Sequence, residues 1–255
     1  MDSNARVRFL DAGAEARVYR VETPAGPQAA KEFAPGSARA FHRELSLLSR
    51  VRHPHIVELL GFEDTPDARR LYLEFCAGGS LRAYLERRPV AGLETLFEVW
   101  QQIASALAEL HRHGIVHCDV KPGNILLRRN TRAEEWVLSD FGLAIDLRSG
   151  TRHRFCTEAY AAPEAKCGER SPAEDVFALG AVLDELRRRV DDPGASLAPL
   201  LGRVDRFTLA MRATAPAERP SIDIVLERCD EARGEFLAFR YTNFESDGAV
   251  PIAIG

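Results

Sequence analysis

The run GIVHCDVKPGNILL (residues 114–127) places an aspartate, a lysine and an asparagine at Asp119, Lys121 and Asn124, with apolar residues on both sides. A further acidic position follows at Asp140, within LSDFGLA (residues 138–144). A carboxylate can take the proton of an alcohol, and an ammonium beside it can neutralise an anion. A carboxylate and an amide oxygen are hard ligands of the kind Mg²⁺ accepts. These are the parts that phosphoryl transfer asks for, because it depends on positioning and charge stabilisation more than on covalent chemistry. A polar loop with no function accounts for any one of the four residues, but not for all four in this order.

Lysine usage adds an independent signal. The 34 basic residues include only three lysines, Lys31, Lys121 and Lys166, so arginine serves almost everywhere else. A position that keeps lysine needs a compact ammonium rather than a planar fork. Lys31, in QAAKEF, is therefore a second candidate for a phosphate contact.

The elements that must position these groups fall into two units. Residues 6–33 contain short alternating runs (RVRFLDAG, ARVYRVET, QAAKEF) around a turn at Gly26 and Pro27, as in strand hairpins. Apolar residues at Phe41, Leu45, Leu48 and Val51 predict a helix over 37–52, stopped by Pro54. IVELLGFED and RRLYLEFC predict two more strands. Beyond them the pattern turns helical, and its longest helix is predicted over 93–113 with Leu96, Trp100, Ile103, Leu107 and Leu110 on one face. This gives an α+β chain: a small strand-rich unit with one helix, a glycine-containing joint at Cys76–Gly79, and a larger helical unit. A cleft between two such units is a usual place for a ligand.

Composition narrows the alternatives. A net charge of −4 with only short arginine pairs gives no reason to expect a nucleic-acid partner. No segment reaches the ~20 apolar residues of a membrane span, and MDSNARVRFLDAG lacks the apolar centre of a secretory signal. The five cysteines are an odd number without CxxC spacing, which points to a reducing cytoplasm rather than a disulfide framework. Delivery as an effector into another cell's cytosol stays open.

The ordered motifs resemble the eukaryotic-type Ser/Thr protein kinase superfamily from about residue 9 to about residue 230. LDAGAEARVY resembles the glycine-rich phosphate loop, AAK the strand lysine, and FHRELSLLSRVRHPHIVELLGF the helix that pairs Glu44 with Lys31. LYLEFCAGGSL resembles the hinge; HCDVKPGN, DFG, AYAAPE with Glu164, DVFALG with Asp175 and ERPS with Arg219 follow in family order. The resemblance implies a bilobal kinase fold, with residues 1–76 as the small lobe, 77–235 as the large lobe and 236–255 as a tail. It implies ATP with Mg²⁺, or Mn²⁺ in its place, and protein substrates. By resemblance Asp119 is the base, Lys121 and Lys31 contact phosphates, and Asn124 and Asp140 ligate the metal. Gly13, Ala16, Val18, Ala29, Leu73 (as gatekeeper), Glu74, Cys76 and Leu126 surround the nucleotide. Lys121 and Thr157 place the chain in the Ser/Thr branch, where such a threonine bonds the base and the lysine. Leu48, Leu59, His117 and Phe141 are expected to stack between the lobes, and Arg219 to pair with Glu164.

Several positions depart from the family pattern. The phosphate loop keeps only its middle glycine, Gly13, and Asp11 is expected to face solvent because a carboxylate pointing inward would repel phosphate. The stretch between Asp175 and Arg219 is short, which implies a reduced docking region. The aromatic tail is read as a final helix of the large lobe rather than a segment docking back on the small lobe. The degraded loop keeps two other functions open, a nucleotide-binding pseudokinase or scaffold, and an atypical kinase or ATPase with a non-protein substrate. Cys118 replaces the arginine that in the family clamps a phosphorylated activation loop. With Cys156 it raises a redox reading beside that of inert buried thiols. Loss of that arginine predicts activity independent of phosphates at Ser149 and Thr151. The Ser149→Ala/Thr151→Ala double variant should keep its rate of substrate phosphorylation, and a loss of about tenfold or more would overturn this.

Overall fold

The computed structural model describes residues 7–129, 134–149, 159–168, 170–191 and 194–246. The small lobe is built from β1 (Val7–Ala12), β2 (Ala16–Thr23), β3 (Gly26–Phe33), α1 (Ala38–Leu48), β4 (Leu59–Asp64) and β5 (Arg69–Glu74). The strands lie in the order β1-β2-β3-β5-β4, all antiparallel. The turn into β3 sets Gly26 at φ 114°, a conformation that side chains with a Cβ rarely adopt. Helix α1 buries Ala40, Phe41, Glu44, Leu47 and Leu48 on one stripe, and Phe41 meets Phe33 of β3 edge to face at 5.5 Å.

Helix α1 is shorter than the apolar spacing predicts. It ends at Leu48, six residues before Pro54, so proline is not what stops it. The Arg50 amide donates to Leu47 at 3.2 Å, a tighter turn than the α-helical ladder. The Arg50 guanidinium then crosses to the large lobe, at 2.6 Å from Asp146 and 3.1 Å from the His113 carbonyl. Val51 is still buried, which explains the continued apolar signal.

The large lobe follows with α2 (Leu81–Arg87), α3 (Leu93–Arg112), β6 (Ile115–Val116), β7 (Ile125–Arg129), β8 (Glu134–Leu138), β9 (Ile145–Asp146), α4 (Pro172–Arg187), α5 (Ala198–Met211) and α6 (Ile222–Ser246). The predicted face of α3 is its buried face: Leu96, Trp100, Ile103, Leu107 and Leu110 are all enclosed. Trp100 stacks on Phe97 and on Phe207 of α5, and its indole N–H donates to the Val225 carbonyl of α6 at 3.1 Å. Helix α6 runs without a break through 235–236, and Phe236 packs on Phe97, so this helix completes the large lobe.

Two short ladders carry the residues of chemical interest. Pairing of β6 with β9 and of β7 with β8 brings the ends of 117–124 and 139–144 together. The joint between the lobes is fastened to β7: Gly78 donates to Leu127 at 3.0 Å, and Leu127 donates to Gly79 at 2.8 Å. A Cβ on Gly78 would lie 2.6 Å from the Leu127 Cβ, so this approach requires glycine.

Arg219 is fully buried and bidentate to Glu164, at 2.5 and 2.8 Å. It also donates to the carbonyls of Ala213, Ala173 and Thr214 and lies over the Phe177 ring. Burial pushes Glu164 up, but the Arg219 hydrogen bonds and charge bring it below the usual carboxylate range. The stabilisation is therefore present above the ordinary carboxylate pKa and lost as pH falls through the depressed value. Arg219→Ala should cost about 3–5 kcal/mol in denaturant unfolding at neutral pH, with the difference shrinking below pH ~4.

Candidate active site

The loop that carries Asp119 hangs from the first turn of α4. Asp175 is fully buried there and accepts from the His117 and Cys118 amides, each at 2.9 Å, and lies 2.9 Å from the His111 ring. Cys118 adopts φ 65°, a left-handed conformation uncommon outside glycine, which these contacts hold in place. The His117 ring contacts the Ser139 carbonyl at 3.0 Å and meets Phe141 edge to face at 5.1 Å. His117 and Phe141 are both fully buried, Leu48 is buried in the same core as Phe141, and Leu59 packs against that core.

Asp119, Lys121 and Asn124 meet in this loop. Oδ2 of Asp119 accepts from the Lys121 ammonium at 2.7 Å and from the Asn124 amide at 2.9 Å. The same Asn124 nitrogen donates to the Asp119 carbonyl at 2.9 Å. That commits the amide nitrogen of Asn124 and leaves Oδ1 as the atom able to ligate a cation. Ser139 ties in the next segment, donating to the Asn124 carbonyl through its amide at 2.8 Å and its hydroxyl at 2.9 Å. Asp140 follows at once.

Lys31 joins the two lobes. Its ammonium lies 2.7 and 2.8 Å from the two oxygens of Glu44 and 2.7 Å from Oδ1 of Asp140. Burial alone would depress Lys31, but the two carboxylates reverse that and hold it above its ordinary value. Partial burial likewise pushes Asp140 up, and the charge and hydrogen bond of Lys31 outweigh it, bringing Asp140 down to about 2. The Asp140 side chain keeps 45% of its exposure and faces the cleft as a carboxylate. Arg43 of α1 adds a bond to the Gly142 carbonyl, which helps hold α1 against this turn.

The residues that the resemblance assigns to the nucleotide lie on the sheet and beside the joint. Val18 pairs with Lys31 and Ala29 with Leu73 across the sheet, while Leu126 bridges to Ser80 beside the joint. Val18, Ala29 and Leu126 are half-buried; Leu73 and Cys76 are buried. Glu74 has its carboxylate committed to Arg128, at 2.5 and 2.7 Å, and to the Glu58 amide, so only its backbone can serve a ligand. Gly13 donates to the Ala16 carbonyl at 2.9 Å, closing the turn between β1 and β2. Asp11 is exposed, its carboxylate accepting from the Ala12 amide at 2.8 Å. Thr157, Thr151 and Cys156 lie outside the described residues. Sequence reasoning missed the support beneath the loop: the two amides on Asp175, the His111 contact, and a buried Glu174 beside Cys118. The doubled acid in AEDVFALG was the available signal.

An antiparallel small lobe, a helical large lobe and a lysine–glutamate pair facing an aspartate-bearing loop define the protein kinase fold. The protein kinase domain family matches residues 8–190, and the chain belongs to that family. It is 33% identical over 169 residues to the serine/threonine-protein kinase ATG1c of Arabidopsis thaliana, covering 65% of this chain and 23% of that protein. It is 36% identical over 145 residues to the human serine/threonine-protein kinase ULK3, covering 56% of this chain and 30% of that protein. A probable LRR receptor-like serine/threonine-protein kinase, RPK1 of Arabidopsis thaliana, is 36% identical over 168 residues, covering 61% and 31%. The match thus spans about a quarter to a third of each relative.

Cys118 is poorly suited to thiolate chemistry. Burial, with the Asp175 and Glu174 carboxylates beside it, pushes its thiol far up, and burial raises Cys76 and Cys229 to about 12. Cys167 is exposed. Iodoacetamide at pH 8 should modify Cys167 before Cys76, Cys118 and Cys229, which should stay unmodified until unfolding, as read by peptide mass mapping.

Proposed function

We propose that this chain is an ATP- and Mg²⁺-dependent kinase that phosphorylates Ser and Thr hydroxyls of protein substrates. The observation that carries it is one connected set of charges: Glu44–Lys31–Asp140 on the nucleotide side and Asp119–Lys121–Asn124 on the acceptor side, joined through Ser139. Asp119 accepts the proton of the substrate hydroxyl as its oxygen forms the bond to the γ-phosphorus. The bond from that phosphorus to the bridging oxygen breaks, and ADP leaves with the electron pair. Lys121 stands beside the base and offsets charge on the transferring group. Lys31, fixed by Glu44, serves the α- and β-phosphates, and Val18, Ala29, Leu73, Leu126 and the backbone near Cys76 enclose the adenine.

Asn124 and Asp140 would hold Mg²⁺, which when bound neutralises phosphate charge. One amide oxygen and one ionised carboxylate suit an ion that completes its shell with phosphate and water. Among the described residues no group of three or more His, Cys, Asp or Glu side chains forms a metal site of its own. No helix among them is long and apolar enough to cross a membrane. The odd number of cysteines without CxxC spacing suits a reducing cytosol as the place of action.

Incubation with labelled ATP and Mg²⁺ tests this. Label should appear on protein Ser and Thr, and both Asp119→Asn and Lys31→Met should lower it by about 10²-fold or more. The lone glycine of the phosphate loop is the observation behind two competing readings. Nucleotide binding without turnover would mark a scaffold, and released phosphate without labelled protein an ATPase.

A further inference from the structure

The base loop is held by more than Asp175. The Cys118 thiol donates to Oε1 of Glu174 at 2.9 Å, and its other near acceptor is the Val116 carbonyl at 3.5 Å. The second oxygen of Glu174 accepts from Arg170 at 2.8 Å. The Arg170 and Glu174 side chains are 3% and 4% exposed, so this is an ion pair enclosed directly beneath the residue that precedes Asp119. Both carboxylates lie in the first turn of α4, where the helix N-terminus favours negative charge. Asp175 fixes the Cys118 backbone; Glu174 fixes its side chain.

This arrangement bears on the missing arginine. At position 118 the chain has no guanidinium to reach outward for a phosphate, and the thiol instead reaches inward to a carboxylate whose cation is supplied by Arg170. A left-handed residue such as Cys118 is disfavoured by roughly 1–2 kcal/mol, so it persists only where its surroundings over-determine it. We propose that the buried Arg170–Glu174 pair, acting through the Cys118 thiol, is the positioning device for Asp119 and does so without a phosphate on the activation segment. The proposal rests on the reading of Asp119 as the base.

Among the described residues, the ionisable groups facing Glu174 are Cys118 from the base loop, Arg170 from the segment before α4 and Asp175 on α4 itself, with His111 of α3 on the far side of Asp175, while Asp119 and Tyr160 line the same small cavity. Burial and the Asp175 charge push Glu174 up to about 7, against the Cys118 hydrogen bond and Arg170. The ionised, fully bonded arrangement therefore forms as pH rises through that value and is lost below it.

Phosphatase-treated wild type and variants provide the test. Cys118→Ala should lower kcat by roughly ten- to a hundredfold with the KM for ATP unchanged, because it removes a hydrogen bond to a charged group away from the nucleotide. Cys118→Ser, which restores a donor, should recover most of that loss. Wild-type kcat should rise through pH ~7, and Glu174→Gln should lack that step. Should single variants unfold, Arg170→Met/Glu174→Met replaces the pair by apolar groups that a core tolerates, and its kcat should fall like that of Cys118→Ala. Hydrogen exchange of the 115–121 peptide should accelerate in every variant except Cys118→Ser. A folded Cys118→Ala with wild-type kcat and wild-type exchange would overturn the proposal. If wild type transfers no phosphoryl group, the functional reading fails, and the exchange measurement alone decides whether the pair positions the loop.

Discussion

A carboxylate with no access to water must have its hydrogen bonds supplied by protein, and Asp175 meets that demand with the backbone of His117 and Cys118, just before Asp119. The requirement works in both directions. The loop's amides have no partner in regular structure at that point, and the helix start has a charge to satisfy. From this bond set follow the left-handed turn at Cys118, the depth of His117 and the direction in which Asp119 leaves the loop. The helical core around Trp100 ties α3 to α5 and α6.

A second constraint couples the lobes. Lys31 bonds a helix of the small lobe and a turn of the large one at once, so the cleft geometry and the position of α1 are a single variable. Arg50 repeats the coupling at the other end of α1 by reaching Asp146. Displacing α1 would take Glu44 from Lys31 and leave the ammonium with Asp140 alone.

Much of this was legible in the sequence, for identifiable reasons. Asp119, Lys121 and Asn124 lie within six residues, so their meeting is a local property of one loop. The rarity of lysine marked Lys31, and the face of α3 followed from helical periodicity. The end of α1 was not legible, because Val51 continues the apolar spacing while Arg50 turns the chain toward a partner far away in sequence. The Arg170–Glu174–Cys118 contact was invisible for the same kind of reason: a thiol and a carboxylate 56 positions apart share no periodic signal. The roles of the nucleotide-side residues came from family resemblance, since half-buried alanine, valine and leucine carry no chemistry that spacing could reveal.

The stitching of Gly78 and Gly79 onto β7 has a mechanical consequence. The joint is anchored there at one end, and the Glu74–Arg128 pair anchors it to the same strand at the other. At the joint, rocking of one lobe against the other falls on the torsions of Phe75, Cys76 and Ala77 or breaks one of those anchors, and it also works against the Lys31–Asp140 and Arg50–Asp146 bonds. The backbone that the proposed reading turns toward adenine, Glu74–Cys76, overlaps this pivot, so on that reading occupancy of the cleft and stiffness of the joint vary together.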